Sequence, residues 1–256
     1  MVTLDELTLA TVPIKVFFED TPLPAATSFV YRWRRRDYLI TNWHVVTGRN
    51  AITGESLCLG ARPDRLQAQF NIQHASFGKR EIDIKLRDEE APLWLVHRNH
   101  HDRPNSRIDV VAIPLDMGTD PPPIYPVNDC ASDNLKIIIG MDVFILGYPF
   151  GAKPPGFPVW KRGSIASEPD LVRQTTGYYL IDTASRPGMS GSPVILRSWT
   201  SLMDEPGVVA SQDRPLNRFI GVYSGRLTSE VFEAQIGMVW HESFIPEIID
   251  DNRRDD

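Results

Sequence analysis

A chain of 256 residues is long enough to bury a sizeable core and to divide into two small β units. Its 42% hydrophobic and 23% charged content is that of a soluble globular protein, and no apolar run reaches transmembrane length. The formal net charge of −6 argues against nucleic acid as the partner, because a phosphate backbone is bound by concentrated positive charge.

The N-terminal stretch MVTLDELTLATVPIKVFFED carries Asp5 and Glu6, with no basic segment leading into an apolar one. It does not read as a secretory signal, so the chain as written reads as cytoplasmic, with no membrane partner. Short runs of period two follow: IKVFFE (14–19), SFVYRW (28–33), YLITNWHVV (38–46), QAQFNI (67–72), EIDIKL (81–86), LWLVHR (93–98) and IDVVAIPL (108–115). The basic run RWRRR, Arg32 to Arg36, falls between the second and third of these. It reads as a solvated hairpin tip, with a basic docking patch as the alternative. The stretch 116–129 holds Pro121, Pro122, Pro123 and Pro126, which excludes a central strand and marks a linker.

A second series comprises 136–149, 160–168, 177–183, 192–197, 217–225 and 235–242. It is interrupted by a long loop at 198–217, read as a surface excursion or a lid. Only the tail SFIPEIIDD reads as helical. Two cysteines, Cys58 and Cys130, form no CxxC and call for no disulfide framework, though a single bridge between them stays open. This spacing of strands predicts an all-β sandwich or barrel protein.

Three motifs carry chemistry. LITNWHVVTG places His44 at a strand end, SRIDVVAIPL places Asp109 at the opening of an apolar strand, and ASRPGMSGSPVI frames Ser190 with Gly188, Gly191 and Pro193. Singly they fit a packed histidine, a turn aspartate and a glycine turn. Together they supply what a serine nucleophile needs: a base within reach and a carboxylate to orient that base. The order His, Asp, Ser is that of one of the convergent triad arrangements, and the absence of glycine two residues after Ser190 argues against the lipase-type elbow. The cluster His97, His100, His101 and Asp102 matches no standard metal spacing, so it reads as a polar loop, and neither a metal nor a cofactor is expected.

These motifs resemble those of the trypsin-like (chymotrypsin-fold) serine peptidases of bacterial type. The chain is similar to glutamyl endopeptidase and HtrA protease domains over roughly residues 12–245. TNWHVV, RIDVVAIPL, VFILGYPFG, KRGSIAS, LIDTASRPGMSGSPVI and FIGVYSG carry the likeness, in the family's order. The resemblance implies two six-stranded β-barrels and a short C-terminal helix. Residues 1–115 would form the first barrel, 116–132 the proline-rich linker, and 133–256 the second barrel and helix.

It also implies roles. His44, Asp109 and Ser190 would be the catalytic triad, and the N–H groups of Gly188 and Ser190 the oxyanion hole. Ala184, Ser185, Tyr223, Ser224, Gly225 and Gly237 would bind substrate, with Ile236 and Met238 at the back of the pocket. Tyr223 and Gly225 would pair with the substrate backbone as an added strand. Ala184 stands where trypsin has an acid, which argues against cleavage after Lys or Arg. Arg226 borders the region, as a solvated strand end or as a contact for an acidic residue. Met189 stands where zymogen-type relatives place an aspartate, so activation through a freed N-terminus is not expected. The resulting expectation is a serine endopeptidase acting on polypeptides through an acyl-enzyme, controlled by an activating or regulatory protein partner. The alternatives are a catalytically silent binding module of the same fold and, less in keeping with the serine frame, an ester or lipid hydrolase.

Overall fold

The computed structural model describes residues 4–72, 78–100, 107–153, 156–184, 186–202, 209–226 and 235–255, with backbone alone over 200–202 and 209–213. In the first half, α1 (Glu6–Ala10) leads into β1 (Thr11–Phe18), β2 (Thr21–Trp33) and β3 (Arg36–Thr41). Then come α2 (Trp43–Thr47), β4 (Arg65–Asn71), β5 (Lys79–Lys85), a small hairpin of β6 (Arg87–Asp88) and β7 (Ala91–Pro92), β8 (Leu95–Val96) and β9 (Val111–Pro114). After the linker come α3 (Val127–Cys130), β10 (Asp142–Gly147), β11 (Val159–Ile165), a 3-10 turn (Pro169–Gln174), β12 (Tyr178–Asp182), β13 (Pro193–Leu202), β14 (Val209–Arg226) and β15 (Ile236–His241). The chain ends in α4 (Phe244–Asp251) and β16 (Arg253–Arg254). No helix among the described residues is long and apolar enough to cross a membrane.

The second series closes into a six-stranded antiparallel barrel in the order β10-β11-β12-β15-β14-β13. Seven strands of the first series, joined by β16 from the far end of the chain, make an eight-stranded antiparallel sheet, β16-β8-β9-β3-β2-β1-β4-β5. Each half has its own core. Val12, Ile14, Leu39, Leu66, Trp94 and Val111 lie in the first, and Val143, Ile145, Ile181, Val194, Tyr223 and Val239 in the second. The alternation seen in the sequence is the alternation of burial, as in β4, where Leu66, Ala68 and Phe70 point inward.

A third cluster joins the halves. Phe29, Tyr31 and Ile40 from the first sheet meet Phe219, Val222 and Trp240 from the barrel, and α4 adds Phe244, Ile245 and Ile248. The chain's ends cross over. Trp160 of the barrel donates to Thr8 Oγ1 of α1 at 2.9 Å, and β16 pairs with β8 of the first sheet. Asp255, buried at the C-terminus, accepts hydrogen bonds from Trp43 at 2.7 Å and Trp94 at 3.2 Å.

Two expectations are corrected and one open question is answered. The tail is not the only helix: α1, α2 and α3 are single helical turns, and α2 places His44 on a helix rather than at a strand end. Gly48 at φ 66 stops that turn in the left-handed conformation, its N–H returning to His44 O. The stretch 198–217 is no loop: β13 and β14 continue into it as a paired arm, Leu202 opposite Val209, while 203–208 lie outside the described residues. Cys58 and Cys130 are both free thiols.

Candidate active site

Asp109 lies one residue short of the apolar run that leads into β9, and its side chain is only 3% exposed. Its carboxylate is satisfied from three directions. His44 donates its backbone N–H to Oδ1 at 2.8 Å, the His44 ring meets Oδ2 through Nδ1 at 2.6 Å, and the Ser224 hydroxyl donates to Oδ2. Asn42 fixes the backbone below it, its Nδ2 donating to Asp109 O at 2.7 Å. The helical turn α2 is what lets the backbone and the ring of one residue reach both carboxylate oxygens.

Burial alone would push the His44 imidazole down, but the Asp109 charge and hydrogen bond outweigh it and hold the group above its ordinary value. With Nδ1 engaged by a carboxylate, Nε2 is the ring nitrogen available to accept a proton. His44, Gly188 and Ser190 together line a cavity of about 210 Å³, whose other walls come mainly from apolar residues such as Val16, Leu23, Val45 and Leu57. Cys58 lines it too, and burial pushes its thiol up, away from the thiolate form that reacts. Among the described residues no hydrogen bond joins Ser190 to His44; in a free enzyme such bonds are often long and tighten on substrate binding.

The serine loop is wedged between the halves. Gly188 has φ +93, and a Cβ there would strike Tyr148 O and come within 3.0 Å of Phe150 N. Gly191 has φ +81, and its Cβ would strike Thr27 O and Thr41 Oγ1. Only glycine fits either position. Thr27, on β2 of the first sheet, fastens the loop twice: its hydroxyl donates to Gly188 O at 2.7 Å, and its N–H donates to Ser190 O at 2.9 Å. The N–H groups of Gly188 and Ser190 have no acceptor among the described residues. Met189 is 1% exposed and packs beside Gly147 and Ser192 in the barrel core, where an aspartate would be a buried charge.

The pocket residues divide. Ala184 is half-buried, and Ser185 lies outside the described residues. Gly225 faces open space. Tyr223 does not present a free strand edge: its N–H donates to Ser192 O and its C=O accepts from Gly191 N–H, both at 2.9 Å. Nor is Gly237 an opening. The space a side chain would take there holds the Tyr223 ring, whose Cε2 is 2.6 Å from the Cβ position, with Ile181 and Thr183 at 3.2 Å. Ser224 belongs with Asp109 rather than with the pocket, turned there by the irregularity in pairing between Tyr223 and Gly225. His97 binds Glu247 Oε2 at 3.0 Å and His100 binds Ile108 O at 2.9 Å, so both brace the fold, while His101 and Asp102 lie outside the described residues.

Sequence reasoning missed Thr27, Asn42 and the role of Ser224. Signals for Asn42 and Ser224 were present in TNWH and YSG, while Thr27 lies in AATSF and carried none; only the folded topology brings the three together with Asp109 and the serine loop.

The trypsin-like peptidase domain family model matches residues 26–202. Among curated proteins none matches the chain. Of solved structures, the serine endoprotease from Yersinia pestis is 14% identical with a TM-score of 0.54, over 98% of this chain and 67% of that one. The active form of the Rv3671c protease from M. tuberculosis is 18% identical with a TM-score of 0.46, over 98% of this chain and 83% of that one. At such identities the likeness to the Yersinia pestis enzyme is one of fold, and it agrees with the chymotrypsin-like β-barrel architecture. With the model spanning well over half of its length, the chain belongs to the trypsin-like peptidase domain family.

Proposed function

We propose that the chain is a serine endopeptidase that cleaves polypeptides through His44, Asp109 and Ser190. The observation that carries this reading is the His44–Asp109 pair, clamped by Ser224 and opening on the cavity that Ser190 and Gly188 share. Ser190 Oγ would attack the substrate carbonyl while His44 Nε2 takes its proton, giving a tetrahedral oxyanion held by the N–H groups of Gly188 and Ser190. Collapse would expel the amine, protonated by His44, and leave an ester on Ser190. Water, deprotonated by His44, would then release the acid and restore the hydroxyl. Asp109 would hold the imidazole in one tautomer and stabilise its charged form throughout.

The acyl-side pocket favours a small residue, because the Tyr223 ring occupies the space beside Gly237 and no acid stands at Ala184. Met189, buried in the barrel core, supports folding without N-terminal processing and, with it, control by a protein partner. Incubation with denatured casein, followed by mass spectrometry of the new N-termini, tests the reading. New cleavage sites after small residues, absent with the Ser190→Ala chain, are expected. Hydrolysis of small esters with no peptide cleavage would assign the chain to ester chemistry instead.

A further inference from the structure

A larger cavity, of about 710 Å³, shares no lining residue with the one around Ser190. One side is the tip of the β2–β3 hairpin, with Arg35 and Arg36. The other is the linker between the halves, with Met117, Pro121, Pro122 and Ile124. Pairing of Trp33 with Arg36 closes a two-residue turn, and both of its central residues are left-handed, Arg34 at φ 48 and Arg35 at φ 64. Such a turn favours Asn-Gly, since a side chain is strained in that conformation. Arginines at both positions therefore go against the local preference of the backbone, and backbone strain of this kind clusters where a side chain is needed for binding.

The charges sharpen the point. Arg34 is compensated by Asp250 at 3.0 Å. Arg32 holds Asp37, the only carboxylate among the residues lining the cavity, through two bonds of 2.7 and 2.9 Å. Arg35 and Arg36 are exposed, and among the described residues neither takes part in an ion pair. Two uncompensated guanidinium groups thus stand over an apolar and proline-lined floor, in a chain whose net charge is −6. We infer that this groove binds an acidic segment of a partner polypeptide, with two carboxylates paired to Arg35 and Arg36 and an apolar or proline residue laid on Met117 and Ile124. A sugar–phosphate backbone would use the arginines but leave that floor uncovered. The inference stands apart from the catalytic reading, since no residue of the groove touches the triad.

The test uses the full Ser190→Ala chain, so that no probe is cleaved, and fluorescence anisotropy. The probes are fluorescein-labelled decapeptides carrying two Asp or Glu residues around Leu, Phe or Pro, each matched by its Asn or Gln counterpart. Acidic peptides are expected to bind, with affinity about tenfold above their amide counterparts and falling with salt. Arg35→Glu with Arg36→Glu should weaken binding at least about tenfold. Arg35→Gly is the sharper variant, because it relieves the left-handed strain: its thermal midpoint should rise while peptide affinity drops about fivefold or more. A raised midpoint with unchanged affinity would show that Arg35 serves the turn alone and overturn the proposal. So would equal binding of acidic and amide peptides, absence of binding by every peptide, or binding of a labelled oligonucleotide where the peptides fail.

Discussion

Asp109 is the best-connected polar group in the cleft, and its three donors decide what it can do. A carboxylate that accepts from the His44 backbone, the His44 ring and the Ser224 hydroxyl is fixed in position while buried. Asp109→Asn keeps the shape and loses the charge, so kcat on a peptide substrate should fall by about 10³ to 10⁴ with little change in KM. Ser224→Ala removes one donor from the carboxylate and leaves more of its charge facing the His44 ring. A drop in kcat/KM of about tenfold is expected, with the acid limb of the pH profile moved to higher pH. A purely structural role for Ser224 would leave that limb in place.

The sign of the pH dependence follows from His44. Its pKa is raised above the ordinary value of about 6.5, and the base must be neutral to act. Activity should therefore climb with pH through a midpoint above 6.5. The charged pair's contribution to stability runs the other way: complete below the unfolded value, and lost as pH rises through the raised one. The candidate triad was legible in the sequence because three short motifs stood in a meaningful order. Tyr223 was misread, because a tyrosine between strand residues carries no sign of whether its ring turns into a pocket or its backbone lines one.

Among the elements, the serine loop is the one in which backbone geometry rules. Gly188→Ala would drive a methyl into the backbone of Tyr148 and Phe150 at a φ of +93, so peptide cleavage should be lost, with a lower thermal midpoint. Gly188→Ser should behave no better, and a variant that stays fully active would show that the loop can open away from β10. Strand period was readable for most elements, since burial alternates with the pleat in β4 and its neighbours. The helical turns α1 and α2 were not. Five residues are too few to show a 3.6 period, and the apolar run LITNWHVV reads as one strand although Asn42 and Gly48 bracket a turn within it. The extension of β13 and β14 was hidden by Pro206 and Pro215 and by the charged residues of the same stretch, which look like loop chemistry.

The molecule as a whole depends on two halves staying docked, because Thr27 and His44 come from one and Ser190 from the other. Phe29 and Phe219 meet edge to face across the junction, with ring centroids 5.3 Å apart. Phe29→Ala should cost about 3 to 5 kcal/mol in chemical denaturation and lower peptide cleavage with it. Asp255→Ala leaves two buried indole N–H groups without this acceptor, and a loss of about 1 to 3 kcal/mol is expected, with the cleft chemistry itself intact below the transition. The two-part organisation was legible through the proline-rich linker and the motif order. The crossing of the chain's ends was not, because β16 and Asp255 offer two strand residues and one carboxylate, with no pattern to say which half they join.

The measurement that tests the account most directly is covalent labelling by a fluorophosphonate probe, which reacts only with a serine activated by its base. The wild-type chain should label at Ser190, with a rate that rises with pH through a midpoint above 6.5, and the Ser190→Ala and Asp109→Asn chains should label at background or far more slowly. Labelling that survives Ser190→Ala, or a wild-type chain that stays unlabelled in buffer and in the presence of cell lysate, would contradict the assignment of the triad.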